Sequence, residues 1–251
     1  DKAIITKYLI FAIKQRSMNF FTKAIFTFLL SIIFLAKPSF SQELMQAPKV
    51  MPLTRILFIF DGSMSMIGVW EKRQKIDVAR SILIPFIDSI SKIKNVEIAL
   101  RVYGNRSPFP PQDCGDTHLE VPFGKDNMPS IVRTILELKP NGTTPIAHSL
   151  LQASVDFPKD SLARNIIFLI TDGIEACDGD PCAVSRELQK KGVILKPFII
   201  GVGNDIDFEK AFNCAGNVYS AKSEIEFLPI LNMAMSKALI TTPLQVYLLD
   251  A

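Results

Sequence analysis

The stretch that decides the fold is Thr54-Arg-Ile-Leu-Phe-Ile-Phe60, which is followed at once by Asp61-Gly-Ser-Met-Ser65. Its nearly continuous apolar run is typical of a strand buried on both faces of a parallel sheet. The same pattern returns at Asn165-Ile-Ile-Phe-Leu-Ile-Thr171, which runs directly into Asp172-Gly173. Each buried strand therefore ends in a carboxylate, and this repetition predicts that the two strands lie in one sheet with polar loops at its carboxyl edge.

Outward from these two strands, helical and strand-like patterns alternate along the chain. The spacing of apolar residues predicts helices over 72–93, 128–138, 145–157, 183–191, 207–215 and 225–239. Further strands are predicted over 96–103, 117–121, 193–201 and 218–219. This order predicts an α/β fold with a doubly wound, mostly parallel central sheet flanked by helices. Ligands of such sheets bind at the carboxyl ends of the strands.

Three oxygen-rich loops are expected at that edge. Asp61, Ser63 and Ser65 follow the first buried strand, Thr143-Thr144 open the helix at Pro145, and Asp172 follows the second buried strand. Each loop alone is also typical of a helix cap or a turn. One metal ion held by all three loops is their joint explanation, and hard oxygen ligands suit Mg²⁺.

These residues resemble the von Willebrand factor type A (vWA) domain with its metal-ion-dependent adhesion site, in a secreted bacterial form. The family motif is Asp-x-Ser-x-Ser, a separate Thr and a separate Asp, in that order. The resemblance covers about residues 53–240 and implies five metal ligands: Asp61, Ser63, Ser65, Thr144 and Asp172. Of the two adjacent threonines, Thr144 is preferred as the metal ligand, because similar bacterial domains have the sequence G-x-T-P-I with the ligand directly before proline. Thr143 is the alternative.

The resemblance implies a metal-dependent protein-binding or adhesion module. Its cofactor would be Mg²⁺, or else Mn²⁺ or Ca²⁺, and its open coordination position would take an acidic residue of a protein partner. Trp70 and Glu175 are candidate partner contacts, although Trp70 is equally suited to the core. Other acidic residues of the predicted loops form either a solvated rim or a second cation site: Asp113, Asp116, Asp178 and Asp180.

The four cysteines suggest two disulfide bonds in an exported protein. Cys177 and Cys182 enclose Asp-Gly-Asp-Pro, so a local bond between them is easy to close. Cys114 and Cys214 would then pair by default. The segment from Thr171 to Cys182 also resembles a T-D-G-x-E-x-C-x-G-D-P-C segment of secreted bacterial vWA domains, which supports the local pairing.

The chain is expected to be exported to the periplasm, the cell surface or the medium. Residues 24–36 form a 13-residue apolar run after Met18 and Lys23, which has the length of a signal-peptide core. We predict an N-terminal extension plus signal peptide over 1–41, cleaved after Ser41, and a linker over 42–52. An uncleaved anchor is the alternative; with cleavage, no stable membrane span is expected. Residues 241–251 are strand-like and are interpreted as the start of a truncated β-module, or as a strand that packs on the domain.

The charge distribution argues against a nucleic-acid partner. The whole chain carries 28 basic and 25 acidic residues, a net charge of +3. Residues 1–41 hold six basic residues and one acidic residue, so the other 210 residues carry 22 minus 24, or −2. Enzymatic motifs such as H-E-x-x-H and G-x-S-x-G are absent from the sequence. A non-enzymatic role is therefore predicted, with a metal-dependent hydrolase or a purely structural domain of a larger surface assembly as alternatives.

Overall fold

The computed structural model of the chain describes residues 52–160, 162–194, 196–203 and 207–240. The predicted signal segment over 1–41 and the predicted β-module over 241–251 lie outside the described residues, as does nearly all of the linker over 42–52. Within the described ranges, no helix has the length and apolar character needed to cross a membrane.

A six-stranded sheet forms the centre of the described domain, in the order β5-β4-β1-β6-β7-β8. Its strands are β1 (Thr54–Asp61), β4 (Val96–Tyr103), β5 (Thr117–Gly124), β6 (Arg164–Thr171), β7 (Phe198–Val202) and β8 (Asn217–Ala221). All neighbours are parallel except β4 and β5. A two-stranded hairpin, β2 (Val69–Trp70) with β3 (Arg73–Gln74), lies apart from the sheet. The predicted doubly wound, mostly parallel fold is confirmed.

Helices cover both faces of the sheet. The elements are a short 3₁₀ helix (Met64–Ile67), α1 (Lys75–Ser91), α2 (Met128–Glu137), α3 (Ile146–Asp156), α4 (Pro181–Lys190), α5 (Phe208–Phe212) and α6 (Glu224–Ile240). Alternate residues of β1 point to opposite faces. Ile56, Phe58 and Phe60 pack with α1, α2 and α6, whereas Leu57 and Ile59 pack with α3, α4 and α5. Burial on both faces explains why β1 and β6 are apolar at nearly every position.

Two details of the predicted elements are wrong for local reasons. β7 begins at Phe198 and not at residue 193, because Gly192 adopts a φ of +66° and the Val193 amide returns to the Leu188 carbonyl at the end of α4. The predicted first helix begins at Lys75, because residues 69–74 form the β2–β3 hairpin. Helix α1 continues through Pro85 without a break.

Trp70 lies in the core and not on a binding surface. Only 6% of the surface of Trp70 is accessible to solvent. The residue belongs to the apolar cluster on the face of the sheet that α1 covers. The β2–β3 hairpin leaves Val69 exposed and turns Trp70 inward, because successive strand residues point in opposite directions. The prediction of Trp70 as a partner contact is therefore wrong, and the alternative of core packing is correct.

Candidate metal centre

The two strand-ending carboxylates meet at the carboxyl edge of the sheet. β1 and β6 are direct parallel neighbours, with Phe60 opposite Ile170. Asp61 is the last residue of β1, and Asp172 directly follows β6. Both residues are buried. The structure thus brings together the two acidic residues that the sequence places 111 positions apart.

Neutral donors hold Asp61. The Ser63 amide donates to Asp61 Oδ1 at 2.7 Å, and the Thr171 hydroxyl donates to Asp61 Oδ2 at 2.6 Å. Burial, with the nearby charge of Asp172 as the second cause, raises the pKa of Asp61 to about 6. Burial and the charge of Asp61 also raise the pKa of Tyr103, which is buried beside the site. The hydrogen-bond donors that the described residues set against Asp61 are thus an amide and a hydroxyl, and neither carries a positive charge.

A chain of oxygen atoms links the serines to Asp172. Ser63 Oγ lies 2.9 Å from Ser65 Oγ, and Ser65 Oγ donates to Asp172 Oδ1 at 2.7 Å. The second carboxylate oxygen of Asp172 accepts a 2.8 Å bond from Lys75 Nζ. Three of the five predicted ligands are thus linked in one hydrogen-bonded chain, with Ser65 in the middle.

Backbone contacts of two glycines, Gly104 and Gly142, bring the threonine loop to the serines. The Met64 amide donates to the Gly142 carbonyl at 2.9 Å, and the Gly142 amide donates to the Gly104 carbonyl at 2.8 Å. Gly104 adopts a φ of +67°, and a Cβ there would lie 2.2 Å from the Thr143 carbonyl oxygen. Only glycine permits this approach. The positions of the serine and threonine loops are therefore set by close-packed backbone.

Both candidate threonines lie at the site. Ser63, Ser65, Thr143 and Thr144 line one cavity of about 350 Å³, together with Phe109, Gln112, Gly142 and Ala176. The Thr143 hydroxyl oxygen is buried and has no hydrogen-bond partner among the described residues. The assignment of Thr144 as the ligand stays a prediction, with Thr143 as the alternative.

Two residues next to the predicted ligands were not anticipated from the sequence. Thr171 was read as the last residue of a strand, yet its hydroxyl holds Asp61. Lys75 was read as part of a helix, yet its ammonium group pairs with Asp172 from 97 positions away. The position of Thr171 directly before Asp172 is a usable sequence signal, because it places a hydroxyl at the carboxyl edge of the sheet. The lysine carried no such signal, because its partner is set by tertiary structure.

Acidic residues around the carboxyl edge of the sheet accept hydrogen bonds from backbone amides. Asp116 is buried and accepts from the amides of Arg106 and Ser107 at 2.9 Å each. Asp180 caps α4 by accepting from the Ala183 amide at 2.9 Å. Groups of three or more Asp, Glu, His or Cys residues suited to a metal ion do not occur among the described residues. The reading of this rim as a second cation site gains no support.

Glu175 ties its loop to the start of α3. Its Oε2 accepts from the Ala147 amide at 2.6 Å, and its Oε1 accepts from the Cys177 amide at 2.8 Å. The side chain remains half-buried. Both oxygens are thus engaged within the chain, and a role in partner contact stays a prediction.

The four cysteines form two disulfide bonds, but the predicted pairing is wrong. The observed bonds are Cys114–Cys177 and Cys182–Cys214. The Asp-Gly-Asp-Pro tetrapeptide starts α4 and does not close a loop, so Cys182 is turned inward beside Phe208 and Phe212 of α5. Cys177 instead bonds across to the 104–116 loop, where the Gln112 side-chain amide also donates to the Ala176 carbonyl.

The donor set fits a divalent cation that prefers oxygen. Hydroxyl-bearing residues line one cavity, and two buried carboxylates lie directly behind Ser63 and Ser65 of that lining. Carboxylate, hydroxyl and water oxygens are the ligands of Mg²⁺. Asp61, Ser63, Ser65, Asp172 and one of the threonines would hold the ion. Cysteine and histidine do not line the cavity, so a thiolate or imidazole site is not indicated.

Comparison with known proteins identifies the family. The family model for the von Willebrand factor type A domain matches residues 56–221, a range that contains all five predicted ligands. The chain belongs to the vWA family. The uncharacterised protein YwmD of Bacillus subtilis strain 168 is 32% identical over 203 residues, which cover 77% of this chain and 87% of that protein.

Solved structures show the same vWA fold. The pilus adhesin SpaC from Lactobacillus rhamnosus GG superposes with a TM-score of 0.60 at 14% identity, over 76% of this chain and 31% of SpaC. The PilB minor pilin from Streptococcus sanguinis gives a TM-score of 0.59 at 14% identity, over 76% of this chain and 62% of PilB. This chain therefore spans less than two thirds of either structure.

Proposed function

We propose that this vWA domain is a metal-dependent protein-binding module of an exported protein. The observation that carries the proposal is the linked set of Ser63, Ser65 and Asp172 oxygens beside buried Asp61, with both serines lining one cavity. These residues would hold a divalent cation, with Mg²⁺ preferred over Mn²⁺ or Ca²⁺. The bound ion would supply a Lewis-acidic position for an acidic residue of the partner.

The ligand chemistry supports an acidic partner residue. Serine and threonine hydroxyls are neutral, so only Asp61 and Asp172 bring negative charge to the ion, and Lys75 offsets one of those charges. The loaded site would keep positive charge facing the cavity. A carboxylate that enters the cavity would be attracted to that charge, and the attraction would be screened by salt where the site is open.

Exposed apolar side chains near the ligands support a protein partner over a small anion. Met64 and Ile67 of the 3₁₀ helix are 42% exposed each, while Phe109 at the cavity and Ile174 are 45% exposed each. Each lies in the cavity wall or within two residues of a predicted ligand. Apolar and aromatic side chains around a polar centre are typical of protein interfaces.

The disulfides and the structural neighbours support a role outside the cytosol. Disulfide bonds persist in oxidising compartments and are rare in cytosolic proteins. SpaC is a pilus adhesin and PilB a minor pilin, and we infer a related adhesive or assembly role for this chain in the periplasm, at the cell surface or in the medium. Because those neighbours share only the fold, the partner must be found by experiment.

A hydrolytic role is less well supported. Histidine, lysine and tyrosine, together with carboxylates, are the groups that most often act as a general base. None of the three lines the cavity among the described residues. Lys75 beside the site is paired with Asp172, and Tyr103 is fully buried. Asp61 and Asp172 are both held by hydrogen bonds as ligands of the proposed ion. Metal-dependent hydrolysis that is abolished by Asp61→Ala would favour the enzymatic alternative.

An affinity capture experiment tests the proposal. The immobilised chain is incubated with extract of the native source in Mg²⁺, washed, and eluted with EDTA, and eluted proteins are identified by mass spectrometry. We expect a partner that elutes with EDTA and is not captured by Asp61→Ala. Asp113→Asn serves as the control, because Asp113 is an exposed acidic residue of the rim. Equal capture with and without EDTA would contradict the proposal.

A further inference from the structure

Lys75 is positioned by the fold against the predicted metal site. It is the first residue of α1, and its amide donates to the Gly68 carbonyl at 2.9 Å. Its Nζ lies 2.8 Å from Asp172 Oδ2; the Lys75 side chain is 23% exposed, and that of Asp172 is fully buried. The contact is therefore a largely desolvated ion pair and not a pair of mobile surface charges.

Gly203 leaves room for the lysine stem, and Gly68 lies in van der Waals range of it. A Cβ at Gly203, which directly follows β7 and has a φ of +99°, would lie 3.2 Å from Lys75 Cε. A Cβ at Gly68 would lie 3.8 Å from the same atom. The aliphatic part of Lys75 thus passes beside two positions without side chains on its way to Asp172, which is consistent with a site built for a long cationic side chain.

The charges of Asp61, Asp172 and Lys75 do not cancel. Asp61 and Asp172 contribute −2 and Lys75 contributes +1, so the site without a metal ion carries −1. Asp61 accepts from the Ser63 amide and the Thr171 hydroxyl, whereas Asp172 has both a hydroxyl donor and the ammonium group. A dication would bring the sum to +1, and without Lys75 the same sum would be zero.

We propose that Lys75 is a built-in counter-ion that stabilises the metal-free site, weakens its affinity for divalent cations and leaves the loaded site net positive toward a carboxylate. This inference rests on the proposed metal-dependent function and deepens it. The ammonium group repels an incoming cation and competes with it for Asp172. A site of this kind binds its metal ion reversibly. Once loaded, it keeps a net positive charge that attracts a carboxylate of the partner.

Calorimetric titration of Mg²⁺ into the whole chain tests the proposal. Lys75→Met keeps the stem and removes the charge, and it is expected to lower the Kd for Mg²⁺ by about tenfold. Lys72→Met removes an exposed charge three residues earlier and is the matched control. Its Kd is expected to stay within about twofold of the wild-type value, because exposed charges are screened.

Thermal unfolding in EDTA provides a readout that needs no metal. Without its counter-ion Asp172 is left buried and unpaired, so Lys75→Met is expected to lower the Tm by about 2–4 °C relative to Lys72→Met. A merely structural lysine would lower the Tm and would also weaken or leave unchanged the affinity for Mg²⁺, whereas a counter-ion lowers the Tm and strengthens that affinity.

The outcomes separate this inference from the proposed function. Wild-type binding of Mg²⁺ with an unchanged or higher Kd in Lys75→Met would overturn the counter-ion role alone. Absence of Mg²⁺ binding by the wild-type chain would contradict the proposed function and the affinity part of this inference together. An unchanged Tm of Lys75→Met in EDTA would overturn the stabilising part in either case.

Discussion

Asp61 and Asp172 end neighbouring strands, yet their surroundings differ. Asp61 is held by an amide and a hydroxyl, and burial beside Asp172 raises its pKa to about 6. Asp172 is held by a hydroxyl and by Lys75. Among the described residues, the fold therefore pairs one carboxylate with a cation and holds the other with uncharged donors. An uncompensated buried charge is costly without a metal ion and favourable with one.

The largest expected effect is on metal affinity, where the two carboxylates should behave alike. Asp61→Asn and Asp172→Asn are each expected to raise the Kd for Mg²⁺ by about 100-fold or more, because each removes half of the negative charge. Calorimetric titration measures this Kd, with Asp113→Asn as the control. Wild-type affinity in either variant would remove that residue from the ligand set.

The second prediction separates the two carboxylates by stability. Between about pH 4 and pH 6, the raised pKa lets the folded state keep a proton on Asp61 that the unfolded chain has lost. The free energy of unfolding of the metal-free protein therefore falls as the pH rises through this range. Above that range Asp61→Asn is expected to be more stable than wild type by on the order of 2–3 kcal/mol. Asp172→Asn is expected to gain nothing, because it leaves Lys75 unpaired.

Urea denaturation in EDTA at pH 4.5 and pH 8 measures both variants. The advantage of Asp61→Asn should be fully present at pH 8 and much smaller at pH 4.5, and saturating Mg²⁺ should favour the wild type instead. A destabilised Asp61→Asn at pH 8 would mean that the Asp61 charge is compensated in a way that the structure does not show.

The third prediction concerns the neutral ligands between the two carboxylates. Thr144→Val is expected to raise the Kd for Mg²⁺ by about tenfold, since it removes one hydroxyl ligand with little change in shape. Thr143→Val is the matched control, expected to change the Kd by less than about twofold. The reverse order would assign the ligand to Thr143, whose buried hydroxyl oxygen is unpartnered.

The smallest effect on metal affinity is expected from the disulfide bond nearest to the site. Cys114→Ser with Cys177→Ser separates the 104–116 loop from the loop after Asp172. The Kd for Mg²⁺ should stay within about threefold of wild type, because strand ends and backbone bonds among Gly104, Gly142 and Met64 hold the ligands. A loss comparable to that of Asp61→Asn would show that the disulfide positions Asp172.

Local pattern was sufficient to predict the two buried strands and the carboxylates at their carboxyl ends. β1 and β6 are apolar because both of their faces are covered, and Asp61 and Asp172 lie where any parallel sheet exposes its carboxyl edge. The loop order then matched the family motif, and the family model confirms the family. These features depend on periodicity and on sequence position, which a single chain displays.

Features that depend on long-range packing could not be predicted. The Lys75–Asp172 pair joins residues 97 positions apart, and the sequence offers several lysines of equal promise. The disulfide pairing depends on whether Asp-Gly-Asp-Pro closes a loop or starts a helix. Asp180 caps the N-terminus of α4, so the segment starts a helix and Cys182 pairs with Cys214. Trp70 was ambiguous because the two-residue strand β2 is too short to show an alternating pattern.

The measurement that tests the central claim most directly is an anomalous difference map from crystals of the chain grown with Mn²⁺. We expect one peak between Ser63, Ser65 and Asp172, in contact with the cavity and absent from crystals of Asp61→Asn. A map with no peak at this position, in crystals that contain Mn²⁺ elsewhere on the protein, would contradict the metal site on which the proposed function depends.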